Sequence, residues 1–374
     1  MIDDSEIMAV LAECGGSQRK AAEALGIPRT TLQGRLKRMA LKGYSPQHGM
    51  TKTCPDGFQV RGVSTMYDGE GNIRSQWYKT APDWDARLKI IEATCEAMAR
   101  DVPRFAPVKQ TGKVNASLLA TYIFGDPHFG MMGWAEETGD NYDLQIATRV
   151  HCQAMKYLVD NAPPAEQAIV LNLGDLLHYD SMEAKTPRSG HFVDADGRYA
   201  RMLDVTIKAM RTLIDEALKK HKKVHVISAI GNHDETGALA VARCLKIAYE
   251  REKRVSVDTS PSVFNYFRWG KVLLGVHHGH TCKPDKLPGV MATDRAKDWG
   301  ECVYRHWLIG HIHHASLKEY AGCTVESFNT LAGKDAYAAN GGWRSQRSAQ
   351  CLTYHSEYGI VGRQYVFADM FKEG

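Results

Sequence analysis

Five short apolar runs, each passing directly into a block of Gly, Asp, Asn and His, constrain the fold of this chain more than any other feature. Residues 118–124 run into Gly125-Asp126-Pro127-His128, and 168–173 into Gly174-Asp175-Leu176-Leu177-His178. Residues 224–230 lead to Gly231-Asn232-His233-Asp234, 272–276 to His277-His278-Gly279-His280, and 307–309 to Gly310-His311-Ile312-His313-His314. Each run has the length and β-branched content of a buried strand, and long helical stretches separate them. Strands alternating with helices imply an α/β sheet, whose ligands gather outside the carboxyl ends of the strands. All five blocks then face one crevice, and they hold most of the 16 histidines.

One such block alone is weak, because a buried polar side chain is usually just a satisfied hydrogen-bonding group. Five in succession form a donor set of carboxylate, amide and imidazole without thiolate. That set suits manganese, iron or zinc and is poor for copper(I) or an iron–sulfur cluster.

In order, Asp126-x-His128, Gly174-Asp175-x-x-His178, Gly231-Asn232-His233-Asp234, His278-Gly279-His280 and Gly310-His311-x-His313 resemble the signature blocks of the calcineurin-like metallophosphoesterase family, over residues 118–330. The resemblance implies a two-sheet αββα sandwich and two divalent cations, manganese first, with iron(II) and zinc as the other choices. It assigns Asp126, His128, Asp175 and His313 to one cation, and Asp175, Asn232, His278 and His311 to the other, with Asp175 as the bridge. Within the fourth block the family's habit of placing the ligand just before a glycine favours His278, leaving His277 and His280 beside the site. Two such cations activate a water and clamp the attacking and leaving oxygens of an in-line phosphoryl displacement. His233 is left to give a proton or hydrogen bond to the leaving oxygen; the plainer alternative makes it a strut for Asn232.

The family hydrolyses esters ranging from phosphoproteins to nucleic acids, so fold alone does not choose the substrate. Its protein phosphatases carry Asp and Arg just after the second block and an Arg before Gly-Asn-His. Here those places hold His178-Tyr179-Asp180 and Ile230, which disfavours that branch. The block ending in His178 is instead similar to the second motif of SbcD-type DNA repair nucleases, where the equivalent histidine helps position DNA beside the catalytic one. A capping or packing role is the alternative for His178. Basic loops at 185–191 and at Lys283, Lys286, Arg295 and Lys297 would draw a phosphate backbone over the site, although Asp285, Asp294 and Asp298 dilute the second. Residues 326–333, 341–359 and 362–370 read as strands or sheet edges, in which Trp343, Arg344 and Arg347 are weaker nucleic-acid candidates.

The first forty residues have a different character. Helical periodicity covers 5–14, resumes after Gly15-Gly16 with Ser17 as N-cap, stops at Gly26, and starts again at Pro28. Three short helices with a glycine turn before the last make a helix-turn-helix. The whole-chain charge of +4 conceals that Arg29, Arg35, Lys37, Arg38 and Lys42 crowd the third helix without an acidic neighbour. GGSQRKAAEALGIPRTTLQGRLKRM resembles the helix-turn-helix of Fis and of NtrC-type bacterial activators. That resemblance places the third helix in a DNA major groove, makes Arg29, Thr30, Thr31, Gln33, Arg35 and Arg38 candidates for base or phosphate contact, and implies a homodimer. A protein-docking bundle is the alternative.

Between these regions, alternation around Asp68-Gly69-Glu70-Gly71-Asn72 predicts a hairpin, residues 82–102 predict a helix, and the domain boundary is expected within 101–117. The expected organisation is a helix-turn-helix at 1–43, a connector at 44–115 and a metallophosphoesterase domain at 116–374. The combined expectation is a bacterial or bacteriophage two-metal phosphodiesterase that cleaves DNA, as exonuclease or endonuclease, after delivery by its N-terminal module. The rivals are a DNA-binding regulator that hydrolyses or senses a small phosphorylated metabolite, and a general phosphatase with a protein-docking N-terminus. ATP use would require a partner chain, because no Gly-x-x-x-x-Gly-Lys loop occurs. The acidic start Met1-Ile2-Asp3-Asp4, the lack of any run of about 18 apolar residues and nine scattered cysteines without a Cys-x-x-Cys pair point to a cytoplasmic, non-membrane protein with reduced thiols.

Overall fold

The computed structural model describes residues 4–41, 43–46, 50, 54, 58–70, 72–82, 108–110, 112–187 and 190–371, and the chain divides into two units, Met1–Ala93 and Thr94–Gly374. In the first unit, α1 (Asp4–Glu13), α2 (Gln18–Ala24) and α3 (Arg29–Leu41) lie where the periodicity puts them. Gly26 takes a φ of 64°, a left-handed turn that a side chain would resist, and so redirects the chain between α2 and α3. Ser17 is the N-cap of α2, but its side chain makes no capping bond. Ile7, Leu11, Ala21, Ala22, Leu32 and Met39 close a small core. The expected hairpin is present as β1 (Phe58–Tyr67) and β2 (Ile73–Pro82), and Asp68 fixes its turn by accepting the N–H groups of Glu70 and Asn72 at 3.0 and 2.8 Å. Of the helix expected over 82–102, Pro82 instead ends β2, and the rest, with the start of the expected boundary, lies outside the described residues.

The second unit follows in the order β3 (Asn115–Phe124), α4 (Ala135–Thr138), α5 (Leu144–Asn161), β4 (Ala165–Asn172), α6 (Tyr199–Lys220), β5 (Lys223–Ser228), α7 (Gly237–Ala248), β6 (Val255–Val257), β7 (Asn265–Trp269) and β8 (Val272–His277). It continues with α8 (Leu287–Asp294), α9 (Ala296–Glu301), β9 (Tyr304–Ile309), β10 (Ser316–Tyr320), β11 (Cys323–Ser327), α10 (Ala336–Asn340), β12 (Ser348–His355) and β13 (Gly359–Phe367). These strands form two sheets, ordered β13-β12-β3-β4-β5-β6 and β10-β11-β9-β8-β7. β3, β4 and β5 are parallel, as are β8 and β9. Parallel neighbours need crossovers, which α5 and α6 supply in the first sheet.

Layering follows from the strand pleat. Leu119, Ile123, Ile169, Leu171 and Ile227 of one sheet meet Val272, Leu274, Val276 and Leu308 of the other in a shared core. Leu273, Trp307 and Ile309 point the opposite way and pack against Leu287 and Met291 of α8. On the far face of the first sheet, α6 buries Met202, Ile207, Met210, Leu213, Ile214 and Ala217, one apolar stripe at helical spacing. The result is the expected αββα sandwich. Of the segments expected as strands or sheet edges, β12 is an interior strand between β3 and β13, buried from Ser348 to Tyr354, because β3, far earlier in the chain, lies on the side away from β13. Among the described residues, no helix is long and apolar enough to cross a membrane.

His221, just after α6, ties that helix to the sheet. Its Nδ1–H donates to the Ala165 carbonyl at 2.7 Å, so Nε2 is left to accept from the Tyr122 hydroxyl, also at 2.7 Å. Burial pushes this imidazole down to about 4 from the ordinary 6.5. A group that titrates lower in the folded than in the unfolded state leaves stability intact above pH 6.5 and removes it as the pH falls toward 4, on the order of 3 kcal/mol for such a shift. Thermal melts are therefore expected to show Tm falling across this window, with His221→Gln flattening the fall; a variant with the parent's pH slope contradicts this assignment.

Candidate metal centre

The five blocks sit at the carboxyl ends of β3, β4 and β5 in one sheet and of β8 and β9 in the other. Among the described residues, the non-glycine positions with positive φ are Asp126 and His128 at 45° each, Asp175 at 49°, His311 at 72° and His313 at 54°. All five are expected metal ligands. Left-handed backbone costs a residue with a Cβ about 1–2 kcal/mol, so these loops aim their side chains against local preference. Glycines make the necessary room: a Cβ on Gly231 would lie 2.0 Å from Asp175 Oδ1, and one on Gly174 would lie 2.5 Å from His278 Nδ1.

Among the described residues three ligand groups result, one of them His128 with His178 and His233, and the other two are built from the expected ligands. In the first, donor atoms of Asp126, His128 and His313 lie within 4.8 Å of one another, with His313 Nε2 3.3 Å from both Asp126 Oδ1 and His128 Nε2. In the second, Asp175, His278 and His311 meet within the same limit. His278 Nε2 is 3.1 Å from Asp175 Oδ2 and 3.1 Å from Asn232 Oδ1, and its Nδ1 lies 3.8 Å from Asp126 Oδ1, joining the groups. His277 is turned aside, with Nδ1 accepting the Gly279 N–H and Nε2 meeting Thr281 Oγ1, each at 2.9 Å. The His280 ring lies 5.2 Å from that of His278. Of the three histidines, His278 is therefore the one set against Asp175.

The donor chemistry fits a cation. A carbonyl can only accept, so His278 Nδ1–H donates to Leu173 O at 2.8 Å and Nε2 presents a lone pair to two further acceptors, Asp175 and Asn232. Three converging lone pairs repel unless a positive charge lies among them. In the metal-free protein a proton serves: burial opposes charge on His278, but Asp175 and Asp126 outweigh it and push the imidazole up to about 10. A divalent cation answers the same need and would release that proton. His128 is held well below the usual imidazole range by burial and by His233, neutral as a ligand must be. Burial opposes the charge on Asp175, yet His278 and then His233 hold its carboxyl well below the usual range.

His233 stands at the edge of this cluster. Its Nδ1–H donates to the His178 carbonyl at 2.7 Å, which leaves Nε2 toward Asp175, 4.0 Å from Oδ2. His178 itself lies beneath the surface, only 1% exposed. Its ring stacks on His233 at 5.5 Å and its Nδ1 lies 3.3 Å from His128 Nδ1. Burial, reinforced by His233, pushes it down to about 3.

Two supporting residues escape the sequence reading. Buried Asp234 accepts the N–H groups of Gly231, Leu176 and Leu177 at 3.0, 2.8 and 3.2 Å, locking the second block to the third. Burial and then Asp175 and Asp180 push its carboxyl well up, against those three donors. Thr330 Oγ1 donates to the Asp126 carbonyl at 2.7 Å across 204 residues. Asp234 is visible in its block, though without a role; nothing local marks Thr330. The rim loops carry less free charge than expected, since Lys185 pairs with Glu183 at 2.5 Å and Arg295 Nε donates to Asp298 at 2.8 Å.

On the first unit's α3, Arg29, Thr30, Thr31, Gln33 and Arg38 are exposed. Arg35 departs from the expected set: it is partly buried and bound to Asp4 of α1 at 2.6 Å, a tie between helices.

Residues 1–39 match the family described as "Bacterial regulatory protein, Fis family", and these helices are a Fis-type helix-turn-helix. No curated protein sequence matches the chain. Among solved structures, the chain is similar to a protein from Streptococcus pneumoniae TIGR4 described as a predicted phosphoesterase, at 11% identity over 68% of this chain and 92% of that one, with a TM-score of 0.30. It is also similar to an archaeal phosphodiesterase, at 12% identity over 66% and 99% with a TM-score of 0.33. A dimetal phosphatase from Danio rerio is similar at 8% identity over 67% and 99%, with a TM-score of 0.36.

The backbone strain can be tested apart from activity. With a chelator present, His311→Gly is expected to be more stable than His311→Ala by about 0.5–1 kcal/mol, because the left-handed cost to alanine exceeds the extra unfolded-state freedom of glycine. Denaturant melts of equal stability would contradict the strain.

Proposed function

We propose that the second unit is a two-metal phosphodiesterase that cleaves nucleic acid, DNA foremost, and that the N-terminal helix-turn-helix holds it there. The observation that carries the reading is the set of five left-handed residues: every one of them points a carboxylate or imidazole into the same cluster. Such strain persists where surrounding structure overrides it, and functional sites are where it collects. One cation would be held by Asp126, His128, Asp175 and His313, the other by Asp175, Asn232, His278 and His311. When bound, the pair supplies Lewis acidity and a nucleophile at neutral pH for in-line displacement at phosphorus.

The chain's own residues then divide the remaining work. His233 is held by the His178 carbonyl with Nε2 toward Asp175, where it is placed to give a proton or hydrogen bond to the leaving oxygen. His178 acts as a positioning residue, stacked under His233 and beside His128. Asp234 and Thr330 keep the ligand loops in register. On α3, Arg29, Thr30, Thr31, Gln33 and Arg38 are offered to DNA bases and phosphates, and a homodimer through this module belongs to the same reading. Tethering by the first unit raises the local concentration of phosphodiester at the second.

A second reading, in which a DNA-bound regulator hydrolyses a small phosphorylated metabolite, is favoured by the neutralised rim charges of Lys185 and Arg295. The two separate in one assay: the full chain with manganese, end-labelled single-stranded and duplex DNA, and small phosphomonoesters and phosphodiesters. DNA is expected to be cut, and His233→Ala to lower kcat roughly 10²–10⁴-fold. Turnover of a small ester with no DNA cut under any metal overturns the nuclease.

A further inference from the structure

Residues 332–346 form a loop whose base and flank are fastened to the metal-ligand residues. Its base is closed by Ser348 N–H donating to Thr330 O at 3.0 Å, and by Arg347 donating to Leu331 O at 3.1 and 2.8 Å. Thr330 Oγ1 in turn holds the Asp126 carbonyl, and Ser345 Oγ donates to the His313 carbonyl, both at 2.7 Å. The interior is ordered by its own bonds. Asp335 caps α10 by accepting the Ala338 N–H at 2.8 Å. Trp343 N–H donates to Ala338 O at 3.1 Å, and the indole lies close over Gly341, where a Cβ would come within 3.5 Å of Trp343 Cε2.

This well-bonded loop nevertheless leaves two large aromatic side chains in water. Tyr337 is 73% and Trp343 58% exposed, and their rings meet edge to face at 5.4 Å. Exposed Arg344 follows, its guanidinium resting on the carbonyls of Ala339 and Trp343 at 3.3 and 2.9 Å. Folding gains little from aromatic faces left exposed, and the bonds of this loop hold the pair in one place beside the expected ligands.

Resting on the nucleic-acid reading above, we infer that Tyr337 and Trp343 form a stacking platform for an unpaired base flanking the scissile phosphate, with Arg344 beside a neighbouring phosphate. An aromatic face next to a cation suits a strand of bases and phosphates, and stacking accepts every base because each has a π-face. A duplex keeps its base faces inside the stack, so the platform selects single strands and frayed ends. The bonds to the Asp126 and His313 carbonyls fix where that base lies relative to the cation those residues would hold. The inference thus names the substrate class as unpaired strand.

The test measures the affinity of the full chain, in chelator so that nothing is cut, for a short unpaired strand and for a base-free strand of equal length and charge. The parent is expected to prefer the base-bearing strand, Trp343→Ala to reduce that preference roughly 5- to 100-fold, and Trp343→Phe to keep most of it. A parent that binds both strands alike, or a Trp343→Ala variant with the parent's preference, overturns the platform while leaving the nuclease reading standing. A parent that binds neither strand and, with manganese, cuts neither overturns the nucleic-acid reading and the platform together.

Discussion

Lone pairs that would repel one another are gathered around Asp175, and the architecture of the second unit is a means of holding them there. His278 Nε2 faces the Asp175 carboxylate and the Asn232 amide oxygen, each at 3.1 Å, with Asp126 close behind. A buried polar cluster of this kind is unfavourable unless a proton or a metal cation completes it, so a stiff frame is needed to assemble it beforehand. The two sheets are that frame. Their shared core of Ile123, Leu171, Ile227, Leu274 and Leu308 fixes the strand ends, and the loops then turn left-handed within a few residues. Asp234 and Thr330 complete the assembly by bonding one loop's backbone to another's.

The cost of that assembly is offset elsewhere, in the inter-sheet core and in the stripe that α6 lays on the outer face. A cation that binds the native state alone adds to this stability by mass action. The same economy explains the division between ligands and supports. Five of the seven proposed ligands occupy strained turns, several of them beside glycines, whereas the residues that orient them, His178 and Asp234, are buried and hydrogen-bonded or stacked. The first unit has no such strain at non-glycine positions among its described residues. Its turn is left to Gly26, its buried core is Ile7, Leu11, Ala21, Ala22, Leu32, Met39 and Tyr44, and its third helix keeps Arg29, Thr30, Thr31, Gln33 and Arg38 exposed.

Much of this is legible in the sequence because the signals are local. An apolar run followed by Gly-Asp-x-x-His marks a strand and its loop wherever it occurs, and Gly26 before Pro28 marks the turn of the first unit. What escapes depends on residues far apart. The Leu173 carbonyl that sets the His278 ring is 105 residues away. Arg35 finds Asp4 across 31 residues and so ties two helices, a pairing no composition of α3 reveals. The burial of His178 follows from rings contributed by two other blocks. β12 becomes an interior strand only because β3, far earlier in the chain, lies beside it.

In the proposed centre Asp175 stands between two cations. Equilibrium dialysis against manganese, followed by mass-spectrometric counting of bound metal, tests it most directly. Close to two ions per chain are expected for the parent and fewer than one for Asp175→Asn, because both positions share that carboxylate. A parent that holds no manganese, or an Asp175→Asn variant that keeps two ions with undiminished affinity, would contradict it.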